Sequence, residues 1–351
     1  MKVLYLTPWY PSDKDAMLGL FVQKHVEAVR AQGCDVRVIH SLSLSDTWRQ
    51  WKTLQRDGWM PDVVQLNVIQ KQGLLALWLK KHFHIPYLIV EHWSGYLPEN
   101  GQFMQLPRLK RKLYQHIAKE AAMVLTVSDR HAEAMKACGI QNDHWGRINN
   151  VVDDFFFEKS GYRDTELSRH RKTLLHVSCF DERAKNVKGL LRAAKMLSEK
   201  RQDWQLVLVG TGVDYEEVRA YANELHIPGE LTQWKGELTP QQVAEEFDKA
   251  DLFVLPSHYE NAPVVISESL AKGVPVVSTR VGGIPEMVNE ECGLLVTPGN
   301  NDELAEALET MLDHYQEYDC EQIRQYGQQY AFSMVGKKLV TVYEASMATT
   351  A

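Results

Sequence analysis

Asp251–Glu286 reads DLFVLPSHYENAPVVISESLAKGVPVVSTRVGGIPE, and its punctuation decides the fold. Leu252–Pro256 is an apolar run of strand length. A polar loop follows, in which Asn261 suits a helix N-cap and Pro263 suits the first turn, where a missing N–H costs nothing. Gly273 and Pro275 end that helix and release the chain into a second strand, Val274–Thr279. A helix opening at the carboxyl end of a parallel strand offers free N–H groups and a positive dipole end, a site for an anion such as a phosphate. Glu260 and Glu268 bracket the junction. Carboxylates repel an anion, so their use there is to accept hydrogen bonds from hydroxyls. The local chemistry points to one phosphorylated, hydroxyl-rich ligand; the plain alternative is two exposed acids.

Working outward, 351 residues exceed one ordinary core, which predicts two domains. Apolar content of 44% and charged content of 24% are those of a soluble globular protein. A net charge of −7 argues against nucleic-acid binding. Five scattered cysteines without a Cys-x-x-Cys pair fit reduced thiols and give no metal site. The start, MKVLYLTPWYPSDKD, is too short an apolar run for a signal peptide, and no segment has the roughly 20 apolar residues of a membrane span. A cytoplasmic location is expected.

Strand-like runs at Val3–Thr7, Cys34–His40, Val63–Ile69, Tyr87–Val90 and Met123–Val127 alternate with helical spacing at Gly19–Arg30, Gly73–His82 and Arg130–Cys138. The polar segment Glu158–Lys172 marks a boundary, giving domains 1–164 and 165–330. The second half restarts with strands Thr173–Ser178, Gln205–Val209 and Gly293–Thr297. Its helices are Gly189–Lys200, one from about Tyr215 to Leu225, one starting at Thr239, and Asn301–Tyr315. A tail helix, about 331–351, is expected to cross back to the first domain. Two α/β halves predict a cleft between two sheets.

Several residues stand out. Gly19 sits where a loop meets a helix, so its missing Cβ would let a ligand approach, or it is a plain turn glycine. His92 follows a strand and faces the crevice of such a sheet, or is structural. Asp13-Lys14-Asp15 reads as a solvated loop rather than a metal site. Residues 108–119 form a basic amphipathic helix that suits an anionic membrane or simply a solvated face. Arg183, Lys185 or both are cations that could meet phosphates beside the helix start at 261–265, or the segment is simply an exposed loop of mixed charge. Gly210-Thr211-Gly212 lacks the third glycine of a nicotinamide fingerprint.

In this order the motifs resemble the retaining, nucleotide-sugar-dependent glycosyltransferases of family 4 (glycosyl transferases group 1). The resemblance spans the chain and is strongest from Gly236 to Gly293. There the sequence follows that family's Pro-Ser…Glu-x7-Glu…Ala-x-Gly-x-Pro-Val…Gly-Gly-x-x-Glu pattern. It implies the α/β GT-B fold, two Rossmann-like doubly wound domains facing a central cleft. It implies that Glu260 contacts the donor sugar, Glu268 the ribose hydroxyls and Lys185 the phosphates, with the backbone of Asn261, Ala262, Pro263, Val264 and Val265 along the diphosphate and sugar. Gly19 matches the N-terminal loop glycine, His92 the histidine after a strand, Gly210 and Gly212 the Gly-x-Gly turn, and Asn150 and Asp153 a linker pair. Val177-Ser178-Cys179-Phe180 departs from the family's Val-Gly-Arg-Leu, so Arg183 is expected to supply the missing charge. Asn261-Ala262-Pro263 replaces the commoner Gly-Phe-Gly.

The implied function is transfer of a sugar, of hexosyl type, from a nucleotide-diphosphate sugar to a glycan or lipid-linked acceptor in surface polysaccharide synthesis. His92, Glu260 and Lys185 would carry the catalysis, without metal or other cofactor. Peripheral contact with the inner membrane face would run through 108–119. The alternatives are a GT-B-fold epimerase or phosphorylase, or a non-catalytic nucleotide-sugar binder.

Overall fold

The structure is a computed structural model that describes residues 1–13, 15, 17–158 and 171–348. Lys14 and the expected boundary at 164/165 lie outside the described residues. The chain forms two compact units: Met1–Val151 joined by the C-terminal helix Phe332–Ala348, and Val152–Ala331.

The first unit is built on β1 (Lys2–Thr7), β2 (Asp35–His40), β3 (Val63–Asn67), β4 (Tyr87–Glu91), β5 (Met123–Thr126) and β6 (Trp145–Arg147). All six pair in parallel, in the order β2-β1-β3-β4-β5-β6. Continuous apolar runs such as Val3–Leu6 are buried because helices cover both faces. On one face Val22, Val26 and Val29 of the helix Leu20–Ala31 meet Val335, Leu339 and Tyr343 of the C-terminal helix. Gly336 lets that helix close in: a Cβ there would lie 2.6 Å from the Ala28 carbonyl oxygen. The Tyr343 hydroxyl donates to Gln65 Oε1 at 2.5 Å and lies 2.7 Å from that of Tyr5, so the tail is tied polar as well as apolar. The other face packs Trp51, Leu75, Leu79, Tyr114 and Ile117.

The second unit repeats the plan with β7 (Lys172–Val177), β8 (Trp204–Val209), β9 (Thr232–Gly236), β10 (Leu252–Leu255), β11 (Val276–Thr279) and β12 (Gly293–Val296). The order is β12-β11-β10-β7-β8-β9, again all parallel. The chain runs outward from β7 to β9 and then returns to the other side of β7 as β10. That reversal opens a crevice at the carboxyl ends of β7 and β10, where such sheets bind ligands.

Among the described residues, two strands and two helices longer than a single turn, Leu44–Arg56 and Cys320–Gly327, escape the sequence pattern. The edge strands β6 and β9 are short and half-exposed, so neither presents an apolar run. The helix Leu44–Arg56 buries only Thr47 and Trp51 and is set by its Ser43 cap, whose side chain accepts from the Asp46 N–H. The helix after β10 runs Val264–Ala271, with Pro263 rather than Asn261 in the cap position and no side-chain cap. Proline drives its predecessor out of the helical region, so Ala262 and Asn261 stay outside.

Candidate active site

At the β7–β10 crevice two loops are zipped together residue by residue. After β7, Asp181 caps a single helical turn, Glu182–Lys185, through the Arg183 N–H. The Ala184 carbonyl accepts the His258 N–H at 2.7 Å, and Asn186 Nδ2 donates to the Pro256 carbonyl at 3.1 Å. Asn186 adopts φ +52 to make that link and start the next helix. Between these clamps Lys185 Nζ meets Glu260 Oε1 at 2.5 Å. Ser257 Oγ donates to the same oxygen at 2.8 Å, and Thr279 Oγ1 donates to the Ser257 carbonyl. Burial would pull the Lys185 pKa down. The charge and hydrogen bond of Glu260, with Cys179 and Tyr259 nearby, outweigh it and hold the ammonium above its usual value. Arg183 lies outside this pair, its guanidinium 5.7 Å from the Tyr259 ring centre and exposed.

Glycines fix the rest. Gly282 has φ +50, and a Cβ there would sit 1.5 Å from the Glu260 carbonyl oxygen, while the Gly283 N–H donates to the Asn261 carbonyl at 2.9 Å. The Gly-Gly of the signature is thus the seat of the Glu260–Asn261 turn. Gly210 and Gly212 serve a similar purpose: a Cβ on either would strike the backbone of Ser178 or Phe180. The space at these two positions is taken by the protein's own β7 loop. Ala262 is half-buried and Pro263 buried, and the first N–H groups of Val264 and Val265 begin the uncapped helix. Glu268 lies one turn on, half-buried. Lys185, Arg183, Glu260, Asn261, Ala262, Pro263, Val264, Val265, Glu268, Gly210 and Gly212 therefore all belong to the second unit. Tyr259 joins them unforeseen, an ordinary loop residue in the sequence; Ser257 was visible only as the serine of the Pro-Ser pattern, and its bond to Glu260 was not.

Gly19 and His92 belong to the first unit. Gly19 takes φ +72 at the start of its helix, and a Cβ there would lie 2.4 Å from the Trp9 carbonyl carbon. Here too the protein's own chain fills the space. His92 follows β4, half-buried, its ring 4.3 Å from that of Phe21 and 5.6 Å from that of His25. Burial above all, then His25 and His131, pushes its pKa well below the usual value. His25 and His131 are themselves buried and lowered to about 4, each ring holding a carbonyl through Nε2, that of Asn149 and of Trp93 respectively. A carbonyl only accepts, so both rings are Nε2–H tautomers.

Glu91, the last residue of β4, is fully buried and was passed over in the sequence. Its Oε2 accepts the Ile69 N–H, and its Oε1 accepts those of His92 and Trp93. Burial raises its pKa to about 7 against the pull of these three N–H groups. Of the linker pair, Asn150 is buried in this unit and Asp153 opens the second with a helical turn, Asp154–Phe156. In the basic helix Arg108–Glu120, Ile117 is buried, but Leu109 is 84% exposed, with Met104 just before it 57% exposed. Leu109 thus stands exposed beside Arg108 and, one turn on, Lys112, both exposed as well. Among the described residues no group of three or more His, Cys, Asp or Glu could hold a metal ion, and no helix is long and apolar enough to cross a membrane.

Comparison with known proteins assigns both units. Residues 162–330 match the family model of glycosyl transferases group 1, and residues 18–150 that of a glycosyl transferase 4-like domain. TuaC of Bacillus subtilis, a glycosyltransferase assigned to teichuronic acid biosynthesis, is 24% identical over 90% of this chain and 90% of its own. Among solved structures, sucrose-phosphate synthase from Thermosynechococcus elongatus superimposes with a TM-score of 0.81 at 19% identity, over 99% of this chain and all of the other. Anabaena HepE in complex with UDP gives 0.77 at 17% identity, over 98% and 100%, and HepE has also been solved with UDP-glucose.

Proposed function

Because this chain belongs to the group 1 glycosyltransferases of family 4, with the GT-B fold, we propose that it transfers a sugar, with retention, from a nucleotide-diphosphate sugar to a glycan or lipid-linked acceptor of a surface polysaccharide. The observation that carries this is the buried Lys185–Glu260 pair at the β7–β10 reversal, four residues before an uncapped helix. A diphosphate leaving group needs its developing charge met by fixed cations and dipoles. Lys185 and the N–H groups of Val264 and Val265 supply them, and Arg183 adds an outer charge. Asn261, Ala262 and Pro263 run along the donor, Glu260 accepts from the sugar and Glu268 from the ribose. His92 is assigned to the acceptor or sugar as a neutral hydrogen-bonding group.

In the reaction the bond from the anomeric carbon to the diphosphate oxygen breaks, its electron pair leaving with the diphosphate. The acceptor oxygen bonds to the same face of the sugar and gives its proton to the leaving phosphate. Neither metal nor cofactor takes part. The relatives' UDP complexes support a uridine diphosphate donor. Exposed Leu109 and Met104 among cations support peripheral contact with an anionic bilayer, which flotation with phosphatidylglycerol rather than phosphatidylcholine vesicles measures.

The test is a thermal-shift screen of nucleotide sugars with EDTA present, followed by transfer assays on those that bind. At least one should raise the melting temperature, and Glu268→Ala should weaken it about tenfold. If no nucleotide sugar binds, or Glu268→Ala changes nothing, the assignment fails. Turnover of donor without any acceptor would indicate an epimerase instead.

A further inference from the structure

Lys185 and Glu260 occupy each other, yet a donor asks both to face elsewhere. We propose that the pair is an exchange switch that ties the sugar to the diphosphate. The diphosphate takes Lys185 from Glu260, and a hydroxyl of the sugar takes the place of the lysine on Glu260. This rests on the nucleotide-sugar reading of the site.

The frame around the pair is fixed and only the side chains are free to move. Ala184 and Asn186 on one side are pinned to His258 and Pro256. Asn261 is pinned to Gly283, and Gly282 lies against the Glu260 backbone. The exchange is therefore a rotation of the long lysine side chain, not a loop movement. Both side chains are largely buried, 16% exposed for Lys185 and 11% for Glu260. Taking one partner of such a pair leaves a buried charge uncompensated, which costs more than the pair itself is worth. Ser257 Oγ, on the same Oε1, offsets only part of that.

A nucleoside diphosphate without its sugar thus gains Lys185 at the expense of Glu260. A nucleotide sugar brings the hydroxyl that repays the carboxylate. After transfer the sugar has left, Glu260 reclaims Lys185, and the bare diphosphate is expelled. Glu260 so determines the preference for donor over product.

Calorimetric titration of UDP and UDP-glucose into wild type, Glu260→Gln, Lys185→Met and the double variant tests this. Glu260→Gln should bind UDP about tenfold tighter, the order of a charge-assisted hydrogen bond, while UDP-glucose does not tighten. In the Lys185→Met background the same change should do nothing, because the gain acts through the lysine. Ser257→Ala should move UDP the opposite way, a few-fold weaker, and covers the case in which Glu260→Gln does not fold. Unchanged or weaker UDP binding by folded Glu260→Gln, tightening that survives Lys185→Met, or no weakening in Ser257→Ala would overturn the switch and leave the donor site standing. If wild type binds no nucleoside diphosphate or nucleotide sugar from the uridine, guanosine, adenosine and thymidine series, the donor site falls and the switch with it.

Discussion

The two sheets are built alike and end differently. At the carboxyl edge of the second, Lys185 and Glu260 are buried as partners and the lysine stays charged. At that of the first, Glu91 is drawn up to about 7 and the rings of His25, His92 and His131 are held neutral. The difference follows from what each buried group meets. Glu91 meets only backbone N–H groups, which do not repay the loss of water, so burial works against its charge. Lys185 meets a carboxylate and keeps its charge in an exchangeable form. Under the proposed function, a diphosphate would call for the second kind of edge and a neutral acceptor hydroxyl for the first.

The comparison breaks most sharply at Gly282. In Gly282→Ala the new Cβ would overlap the Glu260 carbonyl oxygen, so the turn carrying Glu260 must move. A displacement of that kind costs about 100-fold in transfer rate. Gly58→Ala in the first unit is the control. It carries the same left-handed strain, φ +68 against +50, but its Cβ meets nothing within 4 Å. Transfer by that variant should be unchanged, with only about 1 kcal/mol of stability lost. Equal losses of transfer in the two variants would show that Gly282 matters for the backbone alone and not for seating Glu260.

Glu91 sharpens the other side. Its folded pKa of about 7 lies above the 4.5 of a free glutamate, so the folded chain holds the proton more tightly than the unfolded one. The sign follows: stability from this group is full below pH 4.5, declines as the pH rises to about 7, and stays low above. The span corresponds to on the order of 3 kcal/mol. Glu91→Gln cannot titrate. Subtracting its unfolding free energy from that of wild type between pH 4.5 and 7 should leave a difference that falls by this amount. A flat difference would mean that the three N–H groups keep Glu91 ionised, and that the two edges treat charge alike.

How far all this was legible depends on whether a feature is local. Strands buried on both faces, such as β1 and β10, write themselves as apolar runs, and Gly273 with Pro275 ends its helix where expected. β6 and β9 are edges and carry no such run. Glu260 and Glu268 were legible as a spaced pair. The partner of Glu260 lies 75 residues away and meets it only because β7 and β10 are neighbours. Glu91 was invisible for the same reason: Ile69, which it holds, comes from the loop after β3. Gly19, Gly210 and Gly212 were legible as required glycines, but only the fold shows that the approaching backbone is the protein's own.

The smallest expected effect concerns Arg183, the cation proposed to stand in for the family's arginine. It lies at the rim of the charged edge, its NH2 group 3.4 Å from the Tyr259 hydroxyl and its guanidinium over that ring. Lys185 is enclosed, whereas Arg183 is exposed, so water and salt screen its charge. Arg183→Ala should weaken nucleotide-sugar binding about threefold at low salt, and the loss should vanish near 0.5 M salt, where the screening length is only about 4 Å. Lys185→Met should lose far more and keep most of that loss in salt. A salt-independent loss in Arg183→Ala would place the guanidinium in direct contact with the phosphates. No loss at low salt would remove Arg183 from the site and leave Lys185 with the helix N–H groups to hold the diphosphate.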